Sequence, residues 1–255
     1  DAATVVRSGG GDRVAQLLVR HPLCATPRGA PRLGGSGDKR KFDLRIFVAV
    51  RSFAPAPEIY RHAHLYARLS DQAYDASDHA DAVQITTGAA RDAYDRPANE
   101  MDEDDDGQAR LLWSELAEQL EAERGKGAFD GKAVLEAIDK MLADLFGKGG
   151  PGAIGGPWPL SRAYYGCDVL LEDTAFATRS LRHEGQGDLT AGHAQSLQPV
   201  PKLLEVNFMA DWDVAVIAAK QAGKPELAHQ WADDLITALA TDEDLLTNKN
   251  FERLV

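Results

Sequence analysis

The stretch KFDLRIFVAVRSF, residues 41–53, alternates polar and apolar side chains at its start and is rich in β-branched and aromatic residues. This pattern predicts a β-strand that carries one of its faces into a hydrophobic core. The turn sequence APAP (54–57) follows, and then comes a second alternating run, EIYRHAHLYARLS (58–70). Residues 41–70 are therefore predicted to form a β-hairpin.

The remaining regular segments place strands and helices in separate blocks. SRAYYGCDVLLED (161–173) and KLLEVNF (202–208) have the composition of strands. Helical spacing of apolar residues predicts helices at 109–126 and 130–150, and a third helical region at 211–240. Because strands and helices do not alternate one by one, the sequence favours an α+β fold, with a mainly antiparallel sheet and flanking helices, over a doubly wound parallel fold.

The chain of 255 residues is long enough for one large domain. Residues 1–13 are Gly-rich and polar and do not begin with Met, so we expect a disordered or partial N-terminal edge in a fragment of a larger protein. Residues 14–255 would then form one domain. Flexible segments are expected at about 24–40, 95–108 and 174–201, where Gly, Pro or polar residues dominate.

Charge, apolar runs and cysteine content bear on the binding partners and the cellular compartment of the protein. The net charge of −12 disfavours binding to nucleic acid or to anionic lipid, both of which require a basic surface. No apolar run approaches the length of a membrane span, and no signal peptide is visible. Cys24 and Cys167 are far apart and lack metal-ligand spacing, which indicates a reduced, intracellular protein.

Three charged residues of the first predicted strand share one face. Lys41, Asp43 and Arg45 are spaced two residues apart, so their side chains lie on the same side of the strand. Alone, this spacing is typical of a solvent-exposed face with weak salt bridges. In a phosphate site, the two cations would instead contact phosphate oxygens, the arginine through its planar fork.

Oxygen-bearing side chains interrupt the other two predicted apolar strands. Asp168 lies within the run CDVLL, where an unpaired carboxylate would be costly to bury. Glu205 and Asn207 are two residues apart and so share a face. Carboxylate and amide oxygens are ligands that Mg²⁺ prefers, commonly together with nucleotide phosphates. The three residues therefore predict a Mg²⁺ site for ATP, although no P-loop sequence is present.

Two further motifs have simpler explanations. DEDDDG (102–107) matches the first half of an EF-hand loop, but Ala109 and Trp113 occupy positions where such a loop needs other residues. We therefore interpret it as an acidic linker. His62 and His64 share a strand face without a third ligand at zinc-site spacing, so we expect packed or exposed histidines there.

Taken together, RKFDLRIFVAV (40–50), YGCDVLLED (165–173) and KLLEVNFMADWD (202–213) resemble the tubulin–tyrosine ligase-like family in their order and spacing. The resemblance runs from about residue 14 to about residue 240. It implies the central and C-terminal part of an ATP-grasp fold. It also implies an ATP- and Mg²⁺-dependent carboxylate–amine ligase that adds an amino acid to a protein tail, such as that of tubulin. We further expect a cytoplasmic monomer that can associate with microtubules.

The resemblance also implies roles for individual residues. Asp168, Glu205 and Asn207 would bind Mg²⁺. Arg45 and Arg68 would act in catalysis, with Arg68 near the acyl phosphate. The positions implied for contact with ATP are Gln16, Leu17, Val19, Lys41, Asp43, Arg45 and Asn207.

Two alternatives remain open. Leu17 stands where the family usually has lysine, the residues after Asn207 are unusual for the family, and an acidic surface suits an acidic tail poorly. These features favour a catalytically weak or inactive relative that binds tubulin or another partner and regulates its modification. The other alternative is a domain whose polar strand faces are purely structural. In that case, the side chains of Asp168, Glu205 and Asn207 would lie too far apart to share one cation.

Overall fold

The computed structural model of the protein describes residues 19–29, 38–53, 56–86, 108–124, 129–148, 162–174, 198–208 and 213–255. The first half contains β1 (Cys24–Ala25), β2 (Arg40–Ser52), β3 (Glu58–His62), β4 (Tyr66–Leu69), α1 (Asp81–Gln84), β5 (Arg110–Leu112) and α2 (Trp113–Arg124). The second half contains α3 (Gly131–Lys148), β6 (Ala163–Glu172), β7 (Val200–Phe208), α4 (Asp213–Gln221), α5 (Glu226–Ala240), a 3₁₀ turn (Leu245–Thr247) and β8 (Phe251–Arg253).

Strand β2 is the centre of the sheet. One edge pairs with β3 and β4 in succession, and the other edge pairs with β6 over seven residues, from Leu44 opposite Val169 to Val50 opposite Ala163. Outside these strands, β7 pairs with β6, β5 with β4, and β8 with β3. Every one of these pairings is antiparallel, which confirms the predicted α+β fold with a mainly antiparallel sheet. The predicted antiparallel pairing within residues 41–70 is also confirmed, but the run predicted at 58–70 forms two strands, β3 and β4, instead of one.

Strand β2 contributes hydrophobic side chains to two cores, one on each of its faces, since alternate residues point to opposite sides. Phe42, Leu44 and Ile46 pack with residues of α2 and α3 in one core. Phe47 and Ala49 pack on the other face, in a second core. The members of that core from the helices of the C-terminal region include Ala215, Ala218, Ala219, Trp231 and Ala238.

Three predicted boundaries differ from the structure. The loop predicted at 24–40 is shorter, because β1 pairs with the start of β2. The helix predicted from residue 109 begins at Trp113, because the preceding residues pair with β4 as β5. The helical region predicted at 211–240 is divided in two near Gly223, whose φ of 69° is a left-handed conformation that glycine adopts without strain from a Cβ.

Other predicted segments lie largely outside the described residues. These segments are the N-terminal edge at 1–13, the flexible segments at about 95–108 and 174–201, and the acidic motif at 102–107. Within the described ranges, no helix is long and apolar enough to span a lipid bilayer.

A buried polar node connects the C-terminal segment to the sheet. Asp234 of α5 accepts hydrogen bonds from Asn248 Nδ2 at 2.6 Å and from Asn250 Nδ2 at 2.9 Å. Its Oδ2 atom also lies 2.9 Å from Nε2 of His62, which is 1% exposed. His62 is thus a packed histidine, and burial lowers the pKa of its half-buried neighbour His64. This Asp234 node joins β3, α5 and the residues just before β8.

Candidate functional site

Four charged side chains from three strands form one buried network. Arg45 donates from Nε to Oδ1 of Asp168 at 2.5 Å and from Nη2 to Oδ2 at 3.0 Å. Arg68 donates from Nε to Oδ1 of Asp43 at 2.9 Å, and its Nη2 lies 2.8 Å from Oδ2 of Asp168. Each of the four residues is at most 7% exposed. The network therefore links two arginines and two carboxylates in a continuous chain, where each charge has an opposite partner.

Strand register explains why these residues meet. Asp43 of β2 lies directly opposite Arg68 of β4, and Arg45 of β2 lies directly opposite Asp168 of β6. Opposite charges at directly paired positions attract, and a guanidinium fork matches the two oxygens of a carboxylate. Asp43 and Arg45 thus form part of a ladder of charged residues across β4, β2 and β6. The interpretation of this β2 face as solvent-exposed is wrong, since these charged residues are buried.

The two polar residues of β7 extend this ladder to a solvent-accessible edge. Nδ2 of Asn207 lies 2.9 Å from Oε1 of Glu205 and 3.5 Å from Oδ2 of Asp168. Half a turn of the amide would place Oδ1 in the same position, because the two amide atoms are interchangeable in shape. Glu205 is exposed and Asn207 is half-buried. The structure therefore brings together the three side chains predicted as metal ligands.

A β-bulge brings Glu205 and Asn207 to the face of Asp168. Glu205 lies opposite Asp168, but Leu203 lies opposite the next residue, Val169, so Leu204 is one extra residue on β7. Leu203 and Val206 both pack against the core that contains α2 and α3. Regular alternation from Leu203 would have placed Glu205 in that core. The bulge therefore lets Leu203 and Val206 of β7 face the core while Glu205 and Asn207 lie on the opposite face, beside Asp168.

The buried ionisable groups respond differently to their surroundings. Burial alone would raise the pKa of Asp168, but hydrogen bonds from Arg45 and the charge of Arg68 outweigh it, so the pKa lies below its ordinary value. Burial raises the pKa of Asp43, although Arg68 and the hydroxyl of Thr86 oppose this effect. Burial disfavours charged Arg68, but Asp43 and Asp168 more than compensate and raise its pKa.

Acid is expected to weaken the fold through Asp168. Since the pKa of Asp168 lies below its ordinary value of 3.8, its pairing stabilises the fold fully above that pH and is lost as the pH falls through the folded-state pKa. We expect the free energy of unfolding in urea to fall between about pH 4 and pH 2, and to fall less steeply in Asp168→Asn. Asp43 acts in the opposite direction but is present in both proteins. Equal slopes would contradict this prediction.

Lys41 lies at the end of the same β2 face. Its Nζ donates to the main-chain oxygen of Gln84 at 2.9 Å, and its side chain is half-buried. Burial lowers the pKa of Lys41, an effect that the nearby charge of Asp43 opposes. Lys41 therefore remains close to the network and directs its charge to the C-terminal end of α1.

Not every predicted site residue can be placed. Gln16 and Leu17 lie outside the described residues, while Val19 is half-buried near the start of the first described range. Conversely, sequence reasoning missed Thr86 and Gln108, which are 6% and 2% exposed and lie beside the network. Both residues fall in or next to an irregular polar stretch without periodicity, so no sequence signal indicated them.

The candidate metal site at β6 and β7 offers carboxylate and amide oxygens. The described ranges contain no group of three or more His, Cys, Asp and Glu side chains arranged to hold a metal. The site at β6 and β7 differs, because it combines two carboxylates, Asp168 and Glu205, with the amide of Asn207. Such a set suits a hard cation that takes further oxygens from water or phosphate.

Comparison with known proteins gives one clear family. The profile of the tubulin-tyrosine ligase family matches residues 7–242, a range that contains all of the site residues described above. No curated protein matches the chain significantly. The fold of that family is ATP-grasp-like, in agreement with the α+β, mainly antiparallel architecture. The chain belongs to the tubulin-tyrosine ligase family.

Proposed function

We propose that the protein is an ATP- and Mg²⁺-dependent carboxylate–amine ligase that adds an amino acid to the tail of another protein. Family membership supports an ATP-dependent amino-acid ligase that acts on protein substrates. The observation that carries the proposal is the convergence of Asp168, Glu205 and Asn207 next to Arg45 and Arg68. In the proposed reaction, ATP phosphorylates a carboxylate and releases ADP. The amine of the amino acid then attacks the acyl phosphate, forming an amide and releasing phosphate.

The donor set fits Mg²⁺. Oxygens of Asp168, Glu205 and Asn207 are hard donors, and the lowered pKa of Asp168 keeps this carboxylate ionised at neutral pH. Bound Mg²⁺ would neutralise charge on the ATP phosphates. The solvent-facing position of Glu205 leaves this side of the site open to a nucleotide.

We propose that Arg45 and Arg68 act on the phosphoryl group. In the described part of the chain, their hydrogen bonds to Asp43 and Asp168 use Nε and Nη2, and we propose that the Nη1 group of each arginine contacts the phosphoryl oxygens. Pairing with Asp43 and Asp168 holds both guanidinium planes in place. Preorganised positive charge of this kind stabilises negative charge that develops during phosphoryl and acyl transfer. We propose that Lys41 adds to this field at the nucleotide.

The proposal also covers the acceptor protein, the location in the cell and further contacts with ATP. From the stretches 161–173 and 201–213, we propose that the chain is similar to the twelfth tubulin–tyrosine ligase-like protein. We propose a tubulin tail or another protein tail as the acceptor, in the cytoplasm and at microtubules, with the protein acting as a monomer. ATP would contact Gln16, Leu17 and Val19 in addition to β2.

A second candidate function is a weak or inactive relative that binds tubulin or another partner and regulates its modification. One observation favours it. Both oxygens of Asp168 already bind guanidinium groups of Arg45 and Arg68, so the network is electrostatically satisfied without a cation. Ligase assays therefore need to be combined with direct nucleotide binding.

Glu205→Gln is expected to weaken Mg²⁺-dependent ATP binding by ~10-fold to 100-fold, because loss of a residue that holds or orients a metal has this typical cost. Titration of the protein with ATP in the presence of Mg²⁺, read by calorimetry, measures the effect. Glu172→Gln is the matched control, because Glu172 lies on β6 and pairs with Lys202 away from the network.

The outcomes distinguish the two candidate functions. Weaker binding by Glu205→Gln, together with ATP-dependent incorporation of a labelled amino acid into tubulin by the unsubstituted protein, would support the ligase. Binding without incorporation would support the regulatory relative. Equal ATP affinity of Glu205→Gln and the unsubstituted protein would contradict the metal role of Glu205.

A further inference from the structure

A short segment touches two members of the charged β2 face. We call residues 81–86, which comprise α1 and the two residues after it, the strap. The main-chain oxygen of Gln84 accepts the hydrogen bond from Lys41 at 2.9 Å. The hydroxyl of Thr86 interacts with the carboxylate of Asp43 and favours its ionised form. The position of the strap therefore affects both Lys41 and Asp43.

Gln108 holds the strap against β4. Its Nε2 group donates to the main-chain oxygen of Thr86 and, at 3.4 Å, to the main-chain oxygen of Leu69. Leu69 directly follows Arg68, so one amide group joins the strap to the strand that carries the central arginine. Gln108 is 2% exposed, and buried amide hydrogen bonds of this kind are costly to break.

The other end of the Gln108 side chain is also fixed. Its Oε1 atom accepts from Nη2 of Arg110 at 3.1 Å. The main-chain oxygen of Gln108 accepts from Nε2 of Gln221, the last residue of α4, at 2.9 Å. Gln221 in turn accepts from the main-chain N–H of Arg110 at 3.1 Å. Gln108 is therefore anchored to β5 and α4, and its Nε2 is aimed at the strap.

We propose that Gln108 is a positioning residue for the site, acting through Thr86 on Asp43 and through Gln84 on Lys41. This inference rests on the proposed function, because it assigns Gln108 an effect on nucleotide binding. Without the Nε2 donor, the strap loses this link to β4, and the Gln84 carbonyl that binds Lys41 and the Thr86 hydroxyl near Asp43 are held less firmly. The side chain of Gln108 hydrogen-bonds to Leu69, Thr86 and Arg110, so its proposed effect on the site is indirect.

Two substitutions of Gln108 distinguish the hydrogen bonds that Nε2 donates to the strap and β4 from the hydrogen bond that Oε1 accepts from Arg110. Gln108→Met preserves the length of the side chain but removes both functions, whereas Gln108→Glu keeps an oxygen for Arg110 and loses the Nε2 donor. We expect both variants to weaken ATP binding in the presence of Mg²⁺ by ~10-fold, as for other outer-shell contacts. Hydrogen–deuterium exchange should rise in residues 81–86 and stay unchanged in α3. Gln119→Met is the matched control, because Gln119 binds Glu123 within α2.

A double-mutant cycle tests whether Gln108 acts through Thr86. Thr86→Val removes the hydroxyl, and Gln108→Met should then have almost no further effect on ATP affinity if the two residues act in one path. Additive effects, unchanged affinity, or an exchange increase spread over the whole protein would overturn the proposal. Normal affinity in Gln108→Glu would also overturn it, since only the anchor to Arg110 would then matter.

Failure of the proposed function would give a different result. If the unsubstituted protein does not bind ATP with Mg²⁺, the proposed function and the role of Gln108 in nucleotide binding both fail. The exchange experiment would still report whether Gln108 holds the strap, because it needs no nucleotide.

Discussion

Asp168→Ala is expected to lower the free energy of unfolding by about 3–5 kcal/mol, because removing one partner of a buried ion pair leaves an uncompensated charge. Asp168 is 1% exposed and binds Arg45 through both oxygens, while its Oδ2 also contacts Arg68. Arg68 keeps Asp43 as a partner in the variant, but the described structure offers Arg45 no other carboxylate contact. Arg45 therefore accounts for most of the expected loss.

Urea denaturation at pH 7 measures this effect. Glu172→Ala provides the control, because Glu172 is on the same strand and makes a half-exposed ion pair with Lys202. Exposed pairs contribute about 0–1 kcal/mol, so the control should remain close to the unsubstituted protein. A loss below about 1 kcal/mol for Asp168→Ala would show that Arg45 finds another partner, contrary to the buried network.

Asp234→Ala is expected to destabilise the protein by about 3–5 kcal/mol through a different mechanism. The substitution removes the acceptor of Asn248 and Asn250 and the partner of His62. His62 and Asn250 are buried, and each buried group left unsatisfied costs about 1–3 kcal/mol. Since these groups hold α5, β3 and the approach to β8 together, the C-terminal segment should lose protection against hydrogen exchange first.

The matched control for this second prediction is Asp233→Ala. Asp233 precedes Asp234 on the same helix but is exposed. Thermal unfolding should therefore separate the two variants clearly. A similar, small change in both proteins would contradict the role of the Asp234 node. Comparable ATP affinity in Asp234→Ala and the unsubstituted protein, measured below the unfolding transition, would show that the node acts on stability alone.

The sequence predicted which residues form the site, but not which of their side chains bind each other. Asp168, Glu205 and Asn207 were expected together, and their side chains do meet. The resemblance assigned Arg45 and Arg68 to catalysis, but it did not indicate that Arg45 binds Asp168 or that Arg68 joins two carboxylates. Such pairing depends on which strands are neighbours, and no local pattern encodes that information.

Thr86 and Gln108 show a second limit of sequence reasoning. Each is buried beside the network, yet their contacts join residues from distant parts of the chain, such as Asp43 and Gln221. A polar residue in an irregular segment has no periodicity from which its burial could be predicted. Its role emerges only from the elements that the fold packs around it.

By itself, the sequence determined that Asp43 and Arg45 share a strand face, and that Glu205 and Asn207 do as well. Alternation is a local property of the extended backbone, so the spacing of Asp43 and Arg45, and of Glu205 and Asn207, was sufficient. Only the tertiary structure decided which faces join, because register depends on long-range pairing and on the packing of both cores. The bulge at Leu204 is the decisive case. It allows Leu203 and Val206 to remain in the hydrophobic core while Glu205 turns toward Asp168.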